Sequence, residues 1–340
     1  MSEWRRHLRV LVTGGAGYIG SHVVRQLREA GHAVVVYDNL STGHRWAVGD
    51  AELVVGDLAD RLHLEAVLAD RPFDAVLHFA ASIWVGESIA DPLKYYANTT
   101  ANALHLFEAC VHAGVRRLVF SSTAAVYGEP ERVPIPETTP LAPINPYGAS
   151  KMMAERMLAD VAAVSGLRHA ILRYFNVAGA DPLARIGEAT PDNSHLIKVA
   201  CEVALGRRPG LRVNGTDYPT PDGTCIRDYI HVEDLASAHL AALHHLCAGG
   251  PSIVLNCGYG RGRSVREVLE AVRRVTGIEL PVSAGPRRAG DPPVLVADAS
   301  EIRRVLNWRP CHDDLDFIVR TAWAWEQRLP ELIAPSQAAE

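Results

Sequence analysis

Apolar residues in the first half of the chain alternate between short continuous runs and longer stretches with helical spacing. The short runs are rich in Val, Leu and Ile, which is typical of strands buried on both faces of a parallel sheet. The predicted strands are Leu8–Thr13, Ala33–Tyr37, Glu52–Val55, Ala75–Phe79, Arg117–Ser121 and His169–Arg173. The predicted helices between them are Ser21–Ala30, Leu62–Asp70, Thr99–Ala113 and Ala149–Val164.

This alternation predicts an α/β fold with a doubly wound parallel sheet, that is, a Rossmann domain. It weakens after residue 176, where 178–193 and 209–223 are rich in Gly, Pro and Asp and are predicted to be long loops. We expect a Rossmann domain over 1–176, a smaller C-terminal α/β lobe over 177–330 that mainly binds the substrate, with some chain returning to the first sheet, and a tail over 331–340. The later predicted elements are helices Leu196–Leu205, Val232–Leu246, Val265–Val275 and Phe317–Gln327, and a strand Ile253–Asn256.

Charge and cysteine content exclude several classes of function. The formal net charge of −5 leaves no basic field for nucleic acid. The six cysteines are scattered without a Cys-x-x-Cys pair or a His/Cys cluster, which favours reduced thiols and gives no metal site. The first apolar run, Val10–Val12, is too short for a signal core or a membrane span. We therefore predict a cytoplasmic protein.

A glycine-rich turn, Thr13–Gly20, follows the first predicted strand and opens the first predicted helix. Gly14, Gly17 and Gly20 fit a G-x-x-G-x-x-G pattern, in which backbone N–H groups approach a pyrophosphate at the helix N-terminus. Asp38 ends the second strand, near the offset expected for a carboxylate that binds the adenosine ribose hydroxyls. A 2′-phosphate about 4 Å away would cost about 4 kcal/mol, so the sequence predicts NAD rather than NADP.

A second constellation joins a helix to the end of a strand. Tyr147 and Lys151 are four residues apart, so they share one face of a predicted helix. Ser121–Thr123 follow the fifth predicted strand, at the sheet edge where doubly wound folds bind ligands. A hydroxyl, a phenol and an ammonium suit proton removal from an alcohol, because a nearby cation lowers the pKa of the phenol. The chain has only three lysines, so this spacing is hard to attribute to chance.

Together these motifs resemble those of UDP-glucose 4-epimerases, which are extended short-chain dehydrogenase/reductases. The resemblance runs in family order from residue 8 to about 330, and its second-half motifs are specific to sugar-nucleotide epimerases. In the first half it is carried by the glycine turn, Asp38–Leu40, Gly56–Asp57, His78–Ala81, Val85–Ser88, Asn98, Ser121–Gly128, Tyr147, Lys151 and Arg173–Asn176. In the second half it is carried by Asp217–Thr220, Asp222–Thr224, Arg227–Val232, Arg287–Asp291 and Leu306–Trp308.

The resemblance implies interconversion of UDP-glucose and UDP-galactose by transient C4 oxidation with bound NAD, rotation of the ketose and return of the hydride. The catalytic residues would be Thr123, Tyr147 and Lys151. The cofactor-binding residues would be Gly14, Gly17, Tyr18, Ile19, Gly20, Asp38, Asn39, Asp57, Leu58, Phe79, Ala80, Asn98, Tyr147, Lys151 and Phe175. The substrate-binding residues would be Thr123, Tyr147, Asn176, His195, Leu196, Val213, Asn214, Arg227, Arg288, Asp291 and Leu295.

Departures from the best-known family pattern leave the sugar open. Ile83 replaces a cofactor-contacting lysine, Thr123 a serine, His195 an asparagine, Asn214 an aromatic residue and Leu295 a tyrosine that walls the sugar pocket. A 4-epimerase acting on UDP-GlcNAc/GalNAc, UDP-glucuronate or a UDP-pentose therefore remains an alternative.

Two further alternatives have less support. A nucleotide-sugar 4,6-dehydratase would need an acid pair where this chain has Ala124 and Ala125. A non-catalytic NAD-sensing regulator would not need Thr123, Tyr147 and Lys151. The helices Thr99–Ala113 and Ala149–Val164 carry apolar residues beyond one face, and the resemblance implies that they form a homodimer interface, although burial against the sheet would give the same pattern.

Overall fold

The computed structural model describes residues 7–191, 193–288 and 290–333. The strands are β1 Arg9–Thr13, β2 Ala33–Asp38, β3 Glu52–Val55, β4 Ala75–His78, β5 Arg117–Thr123, β6 Arg168–Tyr174, β7 Asn176–Ala178, β8 Leu211–Asn214, β9 Ile226–His231, β10 Ile253–Cys257, β11 Gly262–Ser264, β12 Val282–Gly285 and β13 Val294–Leu295. The α-helices are α1 Tyr18–Glu29, α2 Arg61–Asp70, α3 Val85–Ala90, α4 Pro92–Tyr95, α5 Asn102–His112, α6 Pro146–Ser165, α7 Leu196–Ala204, α8 Val232–Cys247, α9 Val265–Thr276, α10 Ser300–Leu306 and α11 Leu315–Ile333.

The central element is a seven-stranded parallel sheet in the order β10-β6-β5-β4-β1-β2-β3. The strand order reverses between β1 and β4, so the ends of these strands open a crevice of the kind that binds ligands in doubly wound folds. The predicted Rossmann fold class is confirmed. The strand predicted at Ile253–Asn256 is β10, which returns from the second half of the chain to the edge of this sheet.

The sheet is buried on both faces, which explains its continuous apolar strands. In β1, Val10 and Val12 belong to one core and Leu11 belongs to the other. The first core is completed by α1 and α8, and the second by α2, α5 and α6. Side chains on a strand alternate between faces, so a strand with two covered faces needs apolar residues at every position.

The helix that carries Tyr147 has well-defined ends. Asn145 caps α6, because its side chain accepts a hydrogen bond from the Gly148 N–H at 2.8 Å. Pro146 occupies the first helical position, where its missing N–H costs nothing. Gly166 ends the helix with a φ of +72°, in the left-handed region that glycine adopts readily. These ends place Tyr147 in the first turn, beside the carboxyl edge of the sheet.

The second half of the chain contains strands that the pattern did not predict. The predicted loop over 209–223 is wrong in part, because β8 lies within it and pairs with β12. β9 was not predicted, since Arg227 and Asp228 interrupt its apolar pattern although both are buried. β9 joins β7, β11 and β13 in a small sheet of the C-terminal part.

The remaining predicted elements agree with the structure to within a few residues, except at two places. The helix predicted to begin at Thr99 is preceded by a π-helical turn, Tyr96–Ala101, and becomes α-helical at Asn102. The terminal helix α11 continues to Ile333, and positions 334–340 of the predicted tail lie outside the described residues. Within the described ranges, no helix combines the length and apolar character that crossing a membrane requires.

Candidate active site

In the glycine-rich turn between β1 and α1, backbone atoms leave no room for a side chain at Gly14 or Gly20. Gly14 has a φ of +71°, and a Cβ there would lie 2.4 Å from the Ala80 nitrogen. A Cβ at Gly20 would lie 2.2 Å from the Gly14 carbonyl oxygen, so α1 packs against the turn only because Gly20 has no side chain. A Cβ at Gly17 would lie 3.4 Å from the same oxygen, which is a normal contact distance. The turn thus leaves a bare backbone surface at the N-terminus of α1.

Asp38 is a fixed, buried carboxylate at the carboxyl end of β2. It accepts hydrogen bonds from the N–H groups of Ala16 at 2.9 Å and Leu40 at 2.8 Å. Burial raises the pKa of Asp38, and these two donors oppose that rise. Beside it, the Asn39 side chain donates to the Asp57 carboxylate at 2.7 Å. Each Asp38 oxygen keeps a second lone pair, so the carboxylate can still accept hydroxyl donors.

The hydroxyl, phenol and ammonium predicted to act together converge at the end of β5. Thr123 accepts the Ala125 N–H at 3.1 Å, which leaves its own O–H free, and it hydrogen-bonds the Tyr147 phenol. Lys151 is buried and donates from Nζ to the Ser121 carbonyl at 2.8 Å.

Burial sets the protonation of these groups. Removal from water raises the pKa of Tyr147, and the hydrogen bond with Thr123 partly offsets the rise. Burial lowers the pKa of Lys151 to about 8, while the negative charge of Glu155 opposes that shift. A phenol in this setting needs nearby positive charge to act as a base near neutral pH, and Lys151 supplies one on the same helix face.

One cavity of about 510 Å³ connects the glycine turn with Tyr147 and Lys151. It lies at the crevice where the strand order reverses. Predicted site residues that line it are Gly14, Gly17, Tyr18, Ile19, Gly20, Asp38, Asn39, Asp57, Leu58, Phe79, Ala80, Asn98, Tyr147, Lys151, Phe175, Asn176, His195 and Leu196. Ile83 also lines the cavity. The fold therefore brings together every residue predicted to bind the cofactor, and Thr123 adjoins the cavity through its contact with Tyr147.

The predicted substrate residues of the C-terminal part lie elsewhere. Arg227 is buried and donates to the Asp291 carboxylate and, at 2.7 Å, to the Pro292 carbonyl. Arg288 is exposed. These arginines and Asp291 are not part of the cavity wall in the described ranges.

Three other predicted substrate residues are also outside the cavity wall. Val213 and Asn214 end β8, and Val213 lines a separate depression of about 380 Å³. Leu295 lies on β13 and packs, partly buried, with the cluster that contains Ala124 and Phe175. Leu295 is therefore adjacent to the segment that follows Thr123.

A polar group that the sequence analysis missed lines the opposite wall of the cavity. Lys198 donates to the Glu188 carbonyl at 3.1 Å and to the Glu326 carboxylate at 2.5 Å. Trp325 donates to the same carbonyl at 2.9 Å. A lysine among the apolar residues of α7 was the available signal, because a buried lysine needs a partner. Its partner on α11 is 128 residues away and could not be identified from local patterns.

His195 is held at this wall by Glu188. The Nδ1 of His195 lies 2.6 Å from the Glu188 carboxylate, which also accepts from the Asn193 side chain at 2.5 Å. Burial disfavours the charged imidazole, but Glu188 outweighs it and raises the pKa of His195. Because Glu188 occupies Nδ1, Nε2 is the ring nitrogen left to contact a ligand.

The π-helical turn Tyr96–Ala101 brings Asn98 to the cavity. The Asn98 side chain accepts from Ser82 at 3.3 Å, and Thr100 donates to the Ser150 carbonyl at 3.2 Å. The turn is thereby fixed against α6. Single π-helical turns within helices are frequent at functional sites.

The cavity fits a dinucleotide. The bare backbone of the glycine turn suits a pyrophosphate, and Asp38 suits ribose hydroxyls. Among the described residues no group of His, Cys, Asp or Glu is arranged to hold a metal ion.

Comparison with known proteins gives close full-length relatives. Residues 10–258 match the NAD dependent epimerase/dehydratase family. The UDP-glucose 4-epimerase of Azospirillum brasilense is 59% identical over 331 residues, covering 97% of this chain and 95% of that protein. The crystal structure of the Brucella ovis UDP-glucose 4-epimerase in complex with NAD has a TM-score of 0.91 and 48% identity, covering 93% of this chain and 98% of that one. The UDP-Glc/GlcNAc 4-epimerase of Campylobacter jejuni has a TM-score of 0.83 and 50% identity, covering 94% of this chain and 99% of that one.

Proposed function

Because the chain belongs to the UDP-glucose 4-epimerases of the NAD-dependent epimerase/dehydratase family, we propose that it interconverts UDP-glucose and UDP-galactose. The observation that carries this proposal is that Tyr147 and Lys151 face the same cavity as the glycine turn and Asp38. Bound NAD supplies the oxidising and reducing equivalents at C4 of the hexose, with no net redox change.

The residues that hold NAD form one wall of the cavity. The turn at Gly14, Gly17 and Gly20 receives the pyrophosphate, and Asp38 receives the adenosine ribose. The anionic Asp38 excludes a 2′-phosphate, which favours NAD over NADP.

The proton at the C4 hydroxyl is moved by Tyr147. Thr123 donates to the phenolate oxygen and, with Tyr147, orients the sugar hydroxyl. The positive charge of Lys151 stabilises the phenolate form of Tyr147. When the sugar is reduced on its opposite face, Tyr147 returns the proton.

The UDP moiety must stay anchored while the 4-ketose turns. We assign this role mainly to residues of the C-terminal part, where Arg227 and Arg288 can bind a pyrophosphate by charge-assisted hydrogen bonds. The assigned residues are Asn176, His195, Leu196, Val213, Asn214, Arg227, Arg288, Asp291 and Leu295.

The function is tested by incubating the purified protein with UDP-galactose without added NAD and analysing the sugar. We expect UDP-glucose to form until the two sugars reach equilibrium. A protein that binds UDP-galactose but leaves it unchanged would instead be a non-catalytic nucleotide-binding regulator.

The cofactor assignment predicts the behaviour of variants at Asp38. Asp38→Ala and Asp38→Asn should retain less NAD through purification and discriminate less against NADP, because the charge that repels a 2′-phosphate is gone. Bound nucleotide can be quantified after denaturation, and the Kd values compared by titration. Asp50→Ala, at a side chain that is 97% exposed, is the control for loss of one carboxylate. Unchanged retention and preference at Asp38 would assign ribose recognition to another residue.

Substrate breadth depends on Leu295 if it takes the wall position of an aromatic residue. The pocket then admits N-acetylated UDP-sugars weakly, and a relative that is 50% identical, from Campylobacter jejuni, is a UDP-Glc/GlcNAc 4-epimerase. Leu295→Ser should raise kcat/KM for UDP-N-acetylgalactosamine relative to UDP-galactose by about tenfold, and Leu295→Tyr should lower it. An equal ratio in all three proteins would mean that Leu295 only packs against the cluster that contains Ala124.

We further propose a cytoplasmic homodimer with a Rossmann domain over 1–176 and a UDP-sugar-binding lobe mainly over 177–330. Its interface is the outer face of α5 and α6, where Leu104, Val111, Met153 and Val164 are exposed. The cysteines are unpaired, which suits a reducing compartment.

The dimer is tested by light scattering after gel filtration at micromolar concentration. Wild type should have the mass of two chains, and Leu104→Asp should have the mass of one, because the charge would be buried in an apolar interface. A monomeric wild type would contradict the assembly.

A further inference from the structure

Helix α6 carries a stripe of polar side chains, and each of them contacts one residue of strand β5. Tyr147, Lys151 and Glu155 are spaced four apart, so they lie along one side of α6. The Thr123 hydroxyl contacts Tyr147, the Ser121 carbonyl accepts from Lys151, and the Ser122 hydroxyl donates to Glu155. Three consecutive residues of β5, counted as Ser121–Thr123, therefore fix the position of α6. Tyr147 and Lys151 act at the proposed reaction centre, whereas Glu155 takes no part in the proposed proton transfer.

Glu155 is a buried carboxylate that is fully occupied. It is 5% exposed, and Arg173 on β6 is 6% exposed. The Arg173 Nε donates to Oε1 of Glu155 at 3.0 Å, and Nη2 donates to Oε2 at 2.5 Å. With the Ser122 hydroxyl on Oε1 as well, the carboxylate cannot turn toward another partner. A buried charge pair of this geometry costs desolvation, and hydrogen bonds such as these offset that cost.

Arg173 is itself held from the far side. Its Nη1 donates to the Tyr127 hydroxyl at 3.0 Å, and its guanidinium stacks over the Tyr127 ring. The Tyr127 hydroxyl donates to the Asn256 side chain at 2.7 Å, and Asn256 donates to the Ile135 carbonyl at 2.7 Å. The network thus runs from α6 through β6 to β10, the strand that returns from the second half of the chain.

The environment of Lys151 makes Glu155 electrostatically important. The Lys151 Nζ lies 5.1 Å from the centre of the Phe120 ring and donates a hydrogen bond to a carbonyl. Neither of these contacts neutralises its positive charge. Burial lowers the pKa of Lys151 to about 8, and the Coulombic attraction of Glu155 opposes that shift. Other titratable or charged groups on the elements packed around Lys151 are Tyr147 on α6, His78 on β4, and Arg173 and Tyr174 on β6.

These neighbours do not replace Glu155. Burial and Lys151 lower the pKa of His78 to about 3, so this imidazole is neutral. Burial raises the pKa of Tyr174, so its phenol stays protonated. Arg173 is the cation paired with Glu155, so it supplies no negative charge. Among the described residues near Lys151, Glu155 is therefore the one that supplies negative charge.

We propose that Glu155 and Arg173 are positioning residues for Lys151: the pair fixes α6 against the sheet, and Glu155 supplies the field that keeps the Lys151 ammonium charged. The consequence for catalysis rests on the proposed epimerase reaction. The effect on Lys151 itself does not, and it can be measured without any sugar.

The chain offers a direct measurement because it contains only three lysines, Lys94, Lys151 and Lys198. Lysine labelled with ¹³C at Cε gives three NMR signals, and Lys151→Met identifies the relevant one. Its pH titration is recorded on the purified protein with its bound nucleotide. In Glu155→Gln we expect the Lys151 pKa to fall by about one unit, because the attraction is lost and the positive charge of Arg173 is left unpaired.

Three further variants separate electrostatics from structure. Glu155→Gln/Arg173→Met removes both charges, so the Lys151 pKa should return most of the way to the wild-type value even if the protein is less stable. Glu155→Asp keeps the charge and should titrate like wild type. Arg274→Met removes an exposed arginine that is paired with Asp316, and it should change nothing. The proposal is overturned if Glu155→Gln leaves the Lys151 pKa unchanged, or if the double variant shifts it as far as the single one.

Activity gives a second readout. Lys151 is charged below its pKa and loses its charge above it. If its pKa falls, the ammonium that stabilises the Tyr147 phenolate is therefore lost at a lower pH. In Glu155→Gln, the alkaline decline of kcat should therefore begin about one pH unit earlier than in wild type, and the double variant should restore its position. A purely structural role would lower kcat equally at every pH. If the lysine titration shifts as expected but no variant or wild type epimerises UDP-galactose, the proposed function fails and the positioning role stands.

Discussion

Tyr147→Phe is expected to lower kcat for UDP-galactose by about 10²–10⁴-fold while the protein still retains its nucleotide. The variant keeps the ring and removes only the phenol oxygen, which contacts Thr123 and which we propose accepts the proton of the C4 hydroxyl. The glycine turn and Asp38, which we propose hold the cofactor, are untouched. Stopped assays of sugar conversion from pH 6 to 10 measure the loss, and nucleotide content is read from the absorbance of the released cofactor.

A matched control removes a buried tyrosine hydroxyl outside the cavity. Tyr259 donates to Asp234 at 2.6 Å, so Tyr259→Phe should lower stability and leave kcat of the folded enzyme near the wild-type value. Near-native turnover of Tyr147→Phe at any pH would remove Tyr147 from the role of base.

Gly20→Ala is expected to destabilise the fold and to abolish nucleotide binding. The added Cβ would lie 2.2 Å from the Gly14 carbonyl oxygen, and a backbone atom cannot rotate away as a flexible side chain can. We expect a loss of about 3 kcal/mol in the free energy of unfolding, at the upper end for overpacking. Urea unfolding followed by circular dichroism gives this value.

Gly17→Ala separates binding from folding. Its Cβ would meet the same oxygen at 3.4 Å, so the free energy of unfolding should change by less than about 1 kcal/mol. Nucleotide retention should still fall, because the methyl group would stand between the backbone and the pyrophosphate. Equal stability of the two variants would contradict the packing role assigned to Gly20.

The Rossmann half was predictable because its strands obey a local rule. A strand covered on both faces must be apolar throughout, as in Val10–Val12, and the intervening helices have a clear period. Strand β9 could not be recognised, because the partners that allow Arg227 and Asp228 to be buried there are far away in the sequence. Asp228 accepts hydrogen bonds from Tyr259, Gly260 and Ala297, which are not deducible from a local pattern.

The candidate site likewise has one part that was predictable from the sequence and one part that was not. Gly14, Tyr147 and Lys151 belong to short motifs whose spacing already implies their geometry. The opposite wall, with Lys198 paired to Glu326, depends on the packing of α7 against α11. The pairing of Glu155 with Arg173 likewise depends on the placement of β6 beside β5 and α6. Such contacts become visible only when the strands are assembled.

The central claim, that the sugar is oxidised and reduced at C4 within one active site, is tested most directly with UDP-galactose deuterated at C4. The purified protein is incubated with this substrate in ordinary water without added NAD, and the product is analysed by NMR and mass spectrometry. We expect UDP-glucose that still carries deuterium at C4, because Tyr147 and Lys151 line the same cavity as the glycine turn and Asp38, where we propose that NAD is held. UDP-glucose with the label lost to solvent, or no UDP-glucose at all, would contradict the proposed reaction.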